Sequence, residues 1–131
     1  MLLREKDKQA LLRIFSGINF PAEIWAYGSR VSGVAHEGSD LDLVLRSEHL
    51  APLPLRIVNQ LNEKIRDSNI PILIELRDWA MLPVSFQRNI EKHYEVLFDN
   101  RKVLEQADQQ HVLYEPPAKY KVKPKDNNPG N

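Results

Sequence analysis

Apolar positions divide the chain into segments of two different periods. Leu3, Ala10, Leu11, Ile14, Phe15 and Ile18 recur at helical spacing among charged residues until Gly17 and Pro21 end the pattern, predicting an amphipathic helix over residues 3–16. Glu23 to Tyr27 is short, apolar and aromatic, and it lies between Pro21 and the turn-forming Gly28-Ser29, as a buried strand would. Leu41, Leu43 and Leu45 alternate with Asp40, Asp42, Val44 and Arg46. That period of two predicts a strand with one apolar face and an opposite face that begins with two carboxylates.

After Pro52 and Pro54, Leu55, Val58, Leu61 and Ile65 mark a second helix ending near Asp67, and Pro71 to Leu76 predicts a third strand with Glu75 as its one charge. Trp79 to Leu82 fits a turn. Phe86, Ile90 and Tyr94 then follow at helical spacing, and Glu95 to Phe98 fits a short edge strand. The order helix, strand, strand, helix, strand, helix predicts an α/β (α+β) domain with helices packed on one face of a small mixed sheet. From Asn100 the character changes. A polar stretch suited to one weak helix at 101–112 leads into a Pro- and Lys-rich end, so the domain is expected at 1–99 and a partly disordered extension at 100–131.

A length of 131 residues suits one such domain plus a tail, and 42% hydrophobic residues suffice for a core. Eighteen basic side chains balance eighteen acidic ones. With no net field, direct nucleic-acid binding and membrane association are not expected. The chain has no cysteine, which removes disulfides, thiolate metal sites and thiol nucleophiles and fits a reducing compartment. His36, His49, His93 and His111 are scattered, without the spacing that puts two imidazoles on one helix face. The charged start is unlike a signal peptide, and no apolar run approaches the ~18–20 residues that cross a bilayer, so a cytoplasmic protein is expected.

Chemistry concentrates in Gly28-Ser29-Arg30-Val31-Ser32-Gly33 and Gly38-Ser39-Asp40-Leu41-Asp42-Leu43. A strand running into Gly-Ser and a short helical turn offers backbone N–H groups and a hydroxyl to an anion, and glycine lets a phosphate approach closely. Arg30 can add charge-assisted bonds. Asp40 and Asp42, two apart on a strand, project from one face and repel unless a cation joins them; hard oxygen ligands of that kind suit Mg²⁺. If the strands are neighbours in register, Glu75 faces the same site. Three carboxylates could then hold a metal pair that clamps the entering and leaving oxygens of a phosphoryl displacement, with Glu75 as ligand and general base.

Each residue also has a plainer role. Asp-x-Asp occurs often on surface strands, Glu75 alone suits a solvent-facing edge, and Arg30 could be an ordinary surface arginine. Asp78 fits a helix N-cap and Trp79 a core residue. The histidines suit the surface. Gly28 and Gly33 have P-loop spacing, but Val34-Ala35 stands where Lys-Ser/Thr is required. Neither a Gly-x-Gly-x-x-Gly nor a Gly-x-Ser-x-Gly motif is present.

Trp25-Ala26-Tyr27-Gly28-Ser29-Arg30 with Gly33, then Ser39-Asp40-Leu41-Asp42-Leu43, then Ile74-Glu75-Leu76 before Asp78-Trp79, resembles the minimal nucleotidyltransferases of the DNA polymerase β-like superfamily from about residue 5 to 98. The resemblance implies a nucleotidyltransferase fold, two Mg²⁺ ions on Asp40, Asp42 and Glu75, and the triphosphate of an ATP donor on Gly28, Ser29, Arg30 and Ser39. The family's third acidic position is often Asp, and Glu75 reaches one methylene further. Larger relatives carry added domains that hold the acceptor, and this sequence shows none. Small stand-alone members resemble the antitoxin half of a pair whose other half is a helical HEPN toxin, typically a ribonuclease. There AMP passes from ATP to a toxin tyrosine.

Two further readings follow. One is a catalytically inactive binding partner that neutralises a HEPN protein by occlusion. The other is an enzyme that modifies small molecules of antibiotic type.

Overall fold

The computed structural model describes residues 1–33 and 39–104; the extension from 105 onward, including most of the helix expected at 101–112, lies outside the described residues. Four strands form one mixed sheet: β1 (Ala22–Tyr27), β2 (Leu41–Ser47), β3 (Ile74–Asp78) and β4 (Glu95–Asp99), in the order β3-β2-β1-β4. β1 is antiparallel to both β2 and β4, whereas β2 and β3 are parallel. A parallel pair needs a long crossover, supplied here by the helix α3 (Leu55–Arg66). The other helices are α1 (Glu5–Phe15), the single turn α2 (Ser29–Ser32) and α4 (Val84–Lys92).

The main core lies between one sheet face and helices α1 and α3. Leu41, Leu43 and Leu45, the apolar half of the alternation in β2, are fully buried there with Ile24, Ala26, Leu76, Leu11 and Phe15. Val58, Leu61 and Ile65 bring α3 onto the same face. The opposite face is only partly covered: Trp25, Tyr27 and Val44 pack against Trp79 and Ile90 of α4. Thus α1 and α3 share one face as the pattern implied, while α4 and the 3-10 turn Trp79–Met81 cover part of the other. The end of that face bearing Asp42 and Glu75 stays accessible.

Two boundaries depart from the expectation for physical reasons. β3 starts at Ile74 rather than Pro71, because proline has no N–H for a ladder. α4 ends at Lys92, and Tyr94 leaves the helix to stack on Trp25, with ring centroids 3.8 Å apart and planes 11° from parallel. Asp78 is buried, accepting from Ala80 N at 3.1 Å and Leu53 N at 2.8 Å, so it is the cap its position suggested. Among the described residues no helix is long and apolar enough to cross a membrane.

The outer edge of β3 is closed by a side chain. Asn62 of α3 donates to the Leu76 carbonyl at 2.9 Å and accepts from the Leu76 N–H at 3.0 Å, imitating one residue of a neighbouring strand. Removing it leaves both main-chain groups without a protein partner. Asn62→Ala is expected to lower stability by about 1–3 kcal/mol in urea unfolding; a change within about 0.5 kcal/mol would show that solvent replaces the amide without penalty.

Candidate active site

Pairing fixes a row of side chains across the uncovered face. Tyr27 lies opposite Asp42 in the antiparallel pair, and Asp42 lies opposite Glu75 in the parallel one. The next row along the strands is Trp25, Val44 and Arg77. The two carboxylates are therefore cross-strand neighbours because β2 and β3 pair in this register and no other. Asp40 stands exposed just before β2.

Charge in this row is only partly balanced. Arg77 Nη2 donates to Glu75 Oε1 at 3.2 Å, in a pair with both side chains about half exposed. Burial holds the Asp42 carboxyl above its ordinary value of 3.8; Arg77 opposes that rise, while Asp40 and Glu75 reinforce it. Burial, then the Asp42 charge, likewise raises the Tyr27 hydroxyl. Among the described residues no three His or acidic side chains are gathered into a closed metal cage. The donor set still fits a hard divalent cation: half-buried Asp42 beside Glu75, with Asp40 adding charge, offers oxygen ligands that repel one another until a cation joins them.

Behind the carboxylates the sheet face is stiffened by aromatics. The Arg46 guanidinium lies 3.8 Å from the Trp25 ring centroid and 4.6 Å from that of Trp79, and it donates to Glu23 Oε1 at 3.0 Å. Trp25 meets Trp79 edge-on at 5.4 Å. Trp79 is a core residue, as its sequence position suggested.

At the Tyr27 end, β1 turns sharply into α2. Gly28 has φ 87° and ψ −161°, a conformation that is essentially glycine-only. A Cβ there would lie 2.8 Å from Asp42 Oδ2, so the missing side chain lets the turn pass directly over the carboxylate. Val31 N and Ser32 N both donate to the Gly28 carbonyl, and Gly33 at φ 88° ends the turn. Ser29 is partly exposed at the start of α2. Arg30 is buried, its Nε donating to the Ser39 carbonyl at 2.8 Å and its Nη1 to the Leu2 carbonyl at 2.5 Å. The geometry gives Arg30 a bracing role: it ties α2 to the N-terminus and to the strand entry beside Asp40.

A cavity of about 420 Å³ opens between this turn and α4, lined by Tyr27, Gly28, Asp42, Phe86, Ile90 and His93. Phe86 meets Tyr27 edge-on, with centroids 6.0 Å apart. The structure thus brings Gly28, Asp42 and Glu75 into one arrangement, with Asp40 close enough to act on Asp42 by charge. Arg77 and the α4 wall are parts that the sequence reading missed. A signal for Arg77 existed, since it lies two residues beyond Glu75 and so on the same strand face. For Phe86 and His93 none did, because helical spacing does not say which strand end a helix will cover.

Residues 9–103 match the model of the polymerase beta nucleotidyltransferase family. A Haemophilus influenzae protein named probable protein adenylyltransferase MntA is 39% identical over 82 residues, spanning 63% of this chain and 70% of that protein. Two solved structures share the fold. A toxin–antitoxin crystal structure with AMP-PNP has a TM-score of 0.58 at 20% identity, covering 84% of this chain and 90% of its own. The toxin–antitoxin MntA-HepT has a TM-score of 0.55 at 13% identity, covering 83% and 89%.

The electrostatics carry a pH prediction. Between 3.8 and its raised value, Asp42 keeps a proton in the folded chain that the unfolded chain has lost. Stability therefore falls as pH rises through that window, and the deficit persists above it. Asp42→Asn is expected to unfold at or above the wild-type temperature at pH 7, with the advantage gone near about pH 3. Calorimetry at both pH values checks this, and a less stable variant at pH 7 would make the carboxylate a net stabiliser. Gly28→Ala is expected to cost about 1–3 kcal/mol in chemical denaturation, from backbone conformation alone. No loss would mean that the turn can relax away from Asp42.

Proposed function

This chain belongs to the polymerase beta nucleotidyltransferase family, and from that premise we propose that it is a protein adenylyltransferase acting as an antitoxin, moving AMP from ATP to a tyrosine hydroxyl of a HEPN-type toxin. The observation that carries this reading is the Asp42–Glu75 register pair lying beside the glycine turn at Gly28. The Haemophilus relative, with its adenylyltransferase name, supports the choice of reaction. Fold neighbours that are toxin–antitoxin structures, one with AMP-PNP, support the partner class and an ATP donor.

In this mechanism the acceptor hydroxyl forms a new P–O bond at the α-phosphorus, and the bond to the pyrophosphate oxygen breaks in line with it. Gly28 and Ser29 seat the triphosphate, with Ser39 alongside, while Arg30 holds that loop in place from behind. Asp40, Asp42 and Glu75 would hold two Mg²⁺ ions, whose chemistry is to neutralise charge on the entering and leaving oxygens. Glu75 takes the proton from the acceptor hydroxyl. Arg77 sits on Glu75 at 3.2 Å in the ligand-free chain, keeping that carboxylate charged and oriented.

The test is Mg²⁺-dependent transfer of label from α-phosphate-labelled ATP, GTP, CTP or UTP to the protein encoded beside this one. The expected result is label on that protein from ATP, abolished by Asp40→Ala with Asp42→Ala. Glu75→Gln should slow transfer by about 10²–10⁴-fold while nucleotide affinity changes little. A complex that forms and neutralises the partner without label, in wild type and double variant alike, would replace enzymatic inactivation with occlusion.

A further inference from the structure

We propose that the outer edge of β3, with the exposed side of α3, is the docking groove for the acceptor polypeptide, and that it takes an extended acidic segment of about five residues. This rests on the reading of the chain as an enzyme that modifies a protein hydroxyl. A groove of about 680 Å³ runs along this edge, lined by Arg56, Asn59, Gln60, Arg66 and Leu73, and it reaches Glu75. It is separate from the cavity beside Gly28, which meets the other end of the carboxylate row.

In-line transfer places the entering and leaving atoms on opposite sides of the α-phosphorus. With the triphosphate seated over Gly28 and Ser29, the acceptor arrives from the Glu75 end. The groove is the recess that opens there.

Its lining specifies the occupant. Arg56 and Arg66 are exposed and have no ion-pair partner among the described residues. They stand ten residues apart on α3, hence ~15 Å along its axis. An extended chain covers that distance in about five residues. Between them lie the amides of Asn59 and Gln60. Leu73 turns its carbonyl inward to Leu41 N at 2.9 Å, so strand alternation turns the Ile74 main chain outward, before Asn62 closes the edge at Leu76. Outward main-chain groups and spaced amides suit a polypeptide strand. A single-stranded nucleic acid would need an evenly basic track with aromatic platforms, whereas this groove includes Glu63 and lists no aromatic among its lining residues. The two arginines then pair with an acidic residue toward each end of the segment, and its hydroxyl-bearing residue lies at Glu75.

The test places a photoreactive benzophenone side chain at Gln60 in the full chain, co-purified with the protein encoded beside it. Irradiation is expected to cross-link an acidic segment of that partner, with the yield falling about tenfold in Arg56→Glu/Arg66→Glu and unchanged in the control Arg13→Glu on α1. In label transfer the same double variant should raise the acceptor KM about tenfold and leave the nucleotide KM unaltered. All the substituted arginines are exposed, so the folded state tolerates their reversal. An intact complex with no cross-link, a yield that ignores the arginines, or a cross-link to co-purified RNA would each overturn the groove. So would the absence of any complex. Label transfer by wild type decides separately whether the enzymatic reading stands.

Discussion

The parallel pairing of β2 with β3 is the constraint on which the rest depends. It sets Asp42 against Glu75 and, one residue on, Leu43 against Leu76. Carboxylates fall on one face and leucines on the other. A slip of one residue would drive Glu75 into the core formed with α1 and α3 and bring Leu76 to the uncovered face. Burial of Leu43, Leu45 and Leu76 thus fixes the register of the site, although none of the three touches it. The crossover helix α3 serves the same end twice, by its apolar stripe and by the Asn62 amide on Leu76.

The uncovered face is organised against its own electrostatics. Burial keeps Asp42 from ionising freely, and Asp40 and Glu75 add to the difficulty; Arg77 alone among its named neighbours eases it. A site of this kind is kept for what it binds, since in the empty chain it lowers stability. The chain offsets that burden nearby, where Trp25, Trp79, Tyr94 and Arg46 form a stacked cluster under the next rows of the same face. Rigid support and strained chemistry thus sit a few residues apart on the same two strands.

Periodicity made most of this legible from residues alone. Alternation at Leu41, Leu43 and Leu45 revealed both the strand and the two-sided character that puts Asp42 outside the core, and helical stripes located α1 and α3. What a pattern cannot carry is which distant group a flexible side chain will find. Arg30 reads as a phosphate contact because it follows Gly28-Ser29, yet its guanidinium meets the carbonyls of Leu2 and Ser39, the first of them 28 residues away. Arg77 passed unnoticed for the converse reason: its significance lies in the register with β2, which local sequence does not state. Tyr94 follows helical spacing but gains more by stacking on Trp25 than by continuing α4.

A one-layer sheet has two edges, and this chain treats them differently. β4 is short, its ladder to β1 shifts register between Ile24 and Trp25, and the N-terminal ammonium lies 2.9 Å from Glu95. Such breaks discourage another strand from adding there. On β3 the closure is a single side chain, Asn62 at Leu76, and the stretch before it, at Leu73 and Ile74, borders an open groove. An unguarded edge is a liability unless something is meant to lie on it. Here it leads to Glu75, the carboxylate at the outer end of the row. A single-domain enzyme without an acceptor-binding domain of its own has reason to leave that edge open, because the surface that completes its site must come from the substrate.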